Sequence, residues 1–220
     1  MKASDHVLIL IKAGLNAVPV VGGSIASLIG DYVPLSTQRS IEKTTELLKQ
    51  KLTALEGRID TEAVNKDEFS DLFKSCYLVV VRTTQEEKLR AASRILANLL
   101  LKPGDPEKLS YTELDHFVHC LDGLSIGAIV TLAAVDRLSV KGKVQPDNDG
   151  HQTIAFKELS EELKELQPAL LLGLVGELNG FNLLHIHGRP AIPTSQYGNY
   201  PISLTPLGKR FVEGFLERKP

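Results

Sequence analysis

Histidine and cysteine are the residue types here whose spacing could support chemistry near neutral pH. His116, His119 and Cys120 lie close together, and His116 and His119 share a face if the segment is helical. His185 and His187 form an H-x-H pair, and on a strand both would face the same side. Imidazoles and thiolates hold zinc when three or four converge. Nothing in the sequence brings the two groups together, and no C-x-x-C occurs. The expected reading is therefore partly buried helix histidines and a pair on a strand, with no metal and no cofactor. Gly14, Gly22 and Gly23 do not form a G-x-x-x-x-G-K-[ST] phosphate loop. Ser24 lacks the G-x-S-x-G frame, and nearby His6 completes no triad. The chain is not expected to be an enzyme.

The elements that would position such residues follow from composition and pattern. The chain has 220 residues, 43% of them hydrophobic, and a formal net charge of −2. That length suits one large domain or two small ones, with enough apolar material for a core. Divided at Ser110, the halves carry +1 and −3, so no global attraction to nucleic acid or anionic lipid is expected. Two isolated cysteines, Cys76 and Cys120, point to a reducing compartment and to two buried small hydrophobes. Lys2 followed by an apolar run resembles a signal peptide superficially. Asp5, Lys12 and the lack of a clear cleavage box argue against one.

Residues 13–30 carry no charge. Pro19 should break a helix near Val18, and Gly22 and Gly23 weaken it further. The expectation is a helical hairpin, Asp5 to Ala17 and Val20 to Ile29. Gly22, Ala26 and Gly30 stack on one face, where small residues let helices approach closely. One reading buries this hairpin in a helical bundle. The other makes Pro19, Gly22, Gly23, Ala26 and Gly30 a conditional membrane-insertion and self-association element. Eighteen helical residues span about 27 Å, against a bilayer core of about 30 Å.

Further along, Ile41, Thr45, Leu48, Leu52, Leu55 and Ile59 follow a heptad spacing with charges between them. This predicts a bundle helix and makes a homo-oligomer plausible. Asn65 with Glu68, Thr84 with Glu87 and Ser110 with Glu113 read as helix-start capping pairs. Lys102-Pro-Gly-Asp-Pro106 is a strong breaker, placing a boundary between a bundle at 1–104 and a second domain at 107–220. After Ser110 a helix should run from Leu114 to about Leu138, broken near Gly123 or Gly127. A polar loop follows from Lys141 to Gln152. Next come helices Phe156 to Leu166 and Pro168 to Asn179, the second stopped by Gly180. A strand at Leu183 to His187 should pair with Ile202 to Leu204. Thr205-Pro206 should cap a closing helix to Leu216. The fold class is therefore mainly α. It comprises an N-terminal helical bundle and a C-terminal winged helix-turn-helix with a small β-hairpin wing. FNLLHIHG and ISLTPLGKRFVEGF resemble the wing and closing helix of that superfamily.

In DNA-binding members the second helix of the pair reads base edges in the major groove. Here that helix is QPALLLGLVGELNG, residues 167–180, whose one charge is Glu177. DNA affinity needs Lys or Arg against phosphates. The favoured expectation is protein contact through Leu170, Leu171, Leu174 and Glu177. The alternative is a DNA-binding transcriptional regulator using Arg189, Lys209 and Arg210, with nucleic acid the less favoured partner.

The order of parts also resembles a known family. VPVVGGSIASLIGDYVP, a charged heptad helix and EEKLRAASRILANLL are similar to the bacterial abortive-infection-alpha-like proteins. The resemblance covers most of the chain and implies a non-enzymatic cytoplasmic protein of phage defence. Such a protein would associate with a membrane on activation, to damage or sense it. It assigns no functional residue.

Overall fold

The alternation of capped helix starts and glycine or proline breakers divides this chain into short helices. The computed structural model describes residues 35–60, 62–146, 151–187 and 200–216. The described part is mainly helical with one small antiparallel sheet. It divides into two compact units, the first ending at Asp122 and the second beginning at Gly123. The apolar stretch before residue 35, with Pro19, Gly22, Gly23, Ala26 and Gly30, lies outside the described residues, as does Arg189.

In the first unit, α1 (Leu35–Ala54), α2 (Lys66–Arg82) and α3 (Glu86–Leu99) pack against one another. The buried face of α3 mixes Ala91, Ala92 and Ala97 with Leu89, Ile95 and Leu96. The alanines let neighbouring helices close on it, and each fully buried Leu or Ile contributes about 1.5–3 kcal/mol. On α1, Leu48, Leu52 and the following Leu55 are buried as the heptad predicts. The buried face is rotated from the predicted seam, however, and takes in Ser40, Thr44 and Leu47. The Ser40 hydroxyl donates to the Thr83 carbonyl (2.7 Å) and Thr44 to the Ser40 carbonyl (2.8 Å), so neither is left unpaired.

The heptad spacing extends to Ile59, but the helix does not. Gly57 adopts a left-handed conformation (φ 86°), and Ile59 forms a bridge to Leu101. The breaker Lys102–Pro106 lies inside the first unit. Arg58 makes a bidentate ion pair with Asp105 (2.7 and 2.8 Å), and Lys108 donates to the carbonyl of Leu99 (3.0 Å) and to that of Leu101. Then α4 (Tyr111–Gly123) buries Leu114, Phe117, Val118, Cys120 and Leu121. Two predicted caps form. Asn65 accepts from the N–H groups of Asp67 and Glu68, and Ser110 and Glu113 satisfy each other's backbone N–H. The Thr84 cap does not form. Helix α3 opens at Glu86 after Gln85, and Thr83 takes the N–H of Gln85.

The second unit is built around α5 (Ile126–Val140), which is apolar on nearly all sides and correspondingly buried. Ser125 caps it, so the predicted break falls at Leu124–Ser125. The chain continues through β1 (Gln145–Pro146), β2 (Gln152–Ala155), α6 (Phe156–Glu162), α7 (Pro168–Gly180), β3 (Leu184–Ile186), β4 (Pro201–Leu204) and α8 (Pro206–Phe215). The antiparallel sheet has the order β1-β2-β4-β3. In register, Leu184 faces Leu204, Ile186 faces Ile202, and Ile154 faces Ile202 from the other side. The predicted pairing of β3 with β4 is present. Strand β1 falls inside the expected polar loop, and β2 begins at that loop's last residue, Gln152, and fills the stretch before the helix at Phe156.

Two local devices fix the end of this unit. Gly180 is still helical; the stop is Asn182 in the left-handed conformation (φ 56°), with the Leu183 N–H returning to the Leu178 carbonyl (3.0 Å). Thr205 caps α8 by accepting from the Gly208 N–H (2.9 Å), and its hydroxyl donates to the Asn182 carbonyl (2.7 Å). A Cβ at position 208 would collide with the backbone carbonyl of Leu183, so this close approach requires glycine.

Candidate functional site

Helix α7 holds most of the residues singled out for contact. Pro168 occupies its first turn, where a missing N–H costs nothing. Leu171, Leu174, Val175 and Leu178 form its inward face and are buried within the second unit. Leu174 lies against Gly127 of α5. Leu171 and Leu174 are therefore core residues, and of the predicted contact set Leu170 faces solvent, at 54% exposure. Its outward neighbours are Ala169, Gly173, Gly176, Asn179 and Gly180. A Cβ added at Gly173, Gly176 or Gly180 would meet nothing within 4 Å. The result is a flat, nearly bare helix face with one protruding leucine.

Glu177 does not offer its carboxylate outward. It accepts from the Ser125 backbone N–H and from the Ser125 hydroxyl (2.9 Å). It thus sits at the N-terminus of α5, where a negative charge is favoured. Lys209 and Arg210 are exposed on α8.

The two histidine groups lie in different units. On α4, the His119 ring contacts the Asp115 carbonyl (2.8 Å), and His116 Nε2 lies 3.4 Å from Cys120 Sγ. Burial pushes the Cys120 thiol up to about 11 and the Cys76 thiol upward as well. Both cysteines are unbridged, and neither is suited to act as a thiolate. The rings of His185 on β3 and of His187 just after it meet edge to face, 4.5 Å between centres. A third ring, His151 just before β2, lies 5.1 Å from His187. Sequence reasoning missed His151; no spacing rule links it to His185. His187 Nε2 is 2.8 Å from Ser203 Oγ of β4. These residues line an open pocket with Thr205 and Pro206.

No family model, curated protein or solved structure matches this chain. Among the described residues no helix is long and apolar enough to cross a membrane. Among them, too, no group of three or more His, Cys, Asp or Glu side chains stands arranged to hold a metal ion.

Proposed function

We propose that the second unit is a winged helix whose α7 docks on protein in place of reading DNA, within a non-enzymatic effector. The succession α5, β2, α6, α7, β3, β4, α8, with β4 between β2 and β3, supports the winged-helix reading. The observation that carries the function is the outward face of α7. A reading helix presents Arg, Lys, Asn or Gln to base edges. This face presents Ala169, Leu170 and three glycines, with Asn179 near its end. Such a surface admits another backbone closely and rewards burial of Leu170.

The uncharged run at 13–30 and the resemblance to abortive-infection-alpha-like proteins extend the proposal. The chain would serve phage defence, self-associate, and act at a membrane through its N-terminal segment when triggered. The competing regulator would have to hold DNA through Arg189, Lys209 and Arg210.

Fluorescence anisotropy with a short random duplex at about 50 mM salt separates the two, because phosphate-driven binding falls steeply as salt rises. The expected result is no salt-sensitive binding by the full chain. Steeply salt-dependent binding that is lost in Lys209→Ala/Arg210→Ala would overturn the docking reading in favour of the regulator.

A further inference from the structure

In the first unit, α1 and α2 leave an apolar groove between them. Ile41, Thr45 and Leu48 line it from α1, and Phe73, Tyr77 and Val80 from α2. Among the described residues no charged side chain lines it. Thr44 and Thr45 border it too, but their hydroxyls donate to the carbonyls of Ser40 and Ile41 (both 2.8 Å) and are satisfied within α1. The space is about 30 Å3, above the roughly 10–15 Å3 that admits a water. With so little polar surface around it, it suits an apolar side chain better.

We propose that this groove is the resting seat of the chain's own uncharged segment, residues 13–30. Ile41, Thr45 and Leu48 belong to the heptad seam, and such a seam calls for a helix neighbour along it. The bundle turns Ser40, Thr44 and Leu47 inward as well, which leaves Ile41 and Thr45 half-buried on the groove side. The segment is within reach of them. Four residues, Asp31 to Pro34, separate it from the start of α1 at Leu35. Ile41 lies about 9 Å and Leu48 about 20 Å along α1 from Leu35, inside the span of about 27 Å that eighteen helical residues cover on doubling back. So short a tether holds the segment at an effective concentration of about millimolar, which favours it over a second copy of the chain. Its lack of charge matches that of the groove. What the seat is for rests on the proposed membrane role: a segment lodged there is shielded from water until a bilayer competes for it. The seat itself is tested without lipid, so the two readings can fail separately.

The test uses the full chain carrying the photoreactive amino acid benzoylphenylalanine in place of Tyr77. The dilute protein is irradiated without lipid and digested, and its adducts are mapped by mass spectrometry. An adduct within one chain to residues 13–30 is expected, and none from the same probe in place of Lys157 in the second unit. Ala26→Glu lies outside the described residues and would bring an unpaired charge to the groove, so it should cut the Tyr77-site adduct at least about 10-fold. If the probe at position 77 prevents folding, one in place of Ile41 carries the same test. An adduct between chains would overturn the proposal in favour of a second copy as the occupant. So would the absence of any adduct to residues 13–30, an equal yield from position 157, or an adduct undiminished by Ala26→Glu.

Discussion

Gly208 stands where a single methyl group meets the backbone of Leu183. Gly208→Ala should therefore lower stability by about 1–3 kcal/mol, the usual cost of overpacking, read by urea unfolding. Gly176→Ala adds its methyl in open space inside a helix and should raise stability by about 0.5–1 kcal/mol. Equal effects of the two would refute this account. The T-P-L-G string is visible in the sequence as a helix start. That its glycine abuts Leu183 is not visible, because the contact exists once β3 and α8 are folded together. Asp105 yields a pH-dependent prediction. The hydrogen bond from the Arg58 guanidinium, helped by the Glu107 N–H, holds its carboxyl down to about 2. An unfolded Asp titrates near about 3.9. A folded value below the unfolded one stabilises above that unfolded value and fades as pH falls. The stability gap between the wild type and Asp105→Asn should be full at neutral pH and close between about pH 4 and pH 2. Thermal melts across that range check it; a gap undiminished at pH 2 contradicts the pairing.

At the level of elements, the α5 N-terminus depends on α7. Ser125 caps its own helix and is held by Glu177 from another. Glu177→Ala should cost about 1 kcal/mol, the scale of a lost cap, while Ser125→Ala/Glu177→Ala should cost less than the two single changes added. A double-mutant cycle by chemical denaturation reads the coupling, and strict additivity would show that the contact carries no energy. The caps at Asn65, Ser110 and Thr205 were legible because each acts within four residues of chain. The Thr84 pair matches the same pattern, yet Thr83 captures the Gln85 N–H and Ser40 anchors the Thr83 carbonyl, so the helix opens later. Strands β1 and β2 were illegible for another reason. The first is two exposed residues, and the second runs exposed, buried, buried, half-buried, which breaks the period-two signal.

For the molecule as a whole, the membrane part of the proposal rests on residues outside the described ones. Removing residues 1–31 leaves every described element in the sequence. The full chain should float with liposomes and the shortened chain should not; flotation of neither removes the membrane role and leaves protein docking. The mainly helical class was readable from periodicity. The place where contacts divide was less so, because the proline-rich breaker is drawn into the first unit by Arg58, Asp105 and Lys108. A practical consequence lies in where the sulfur atoms sit. Both cysteines of the chain precede Gly123, both are buried, and the second unit has none. Maleimide labelling of the native protein is then a clock for the opening of the first unit alone. Its rate, compared with hydrogen exchange in α5, would reveal whether the two halves breathe together or on separate schedules.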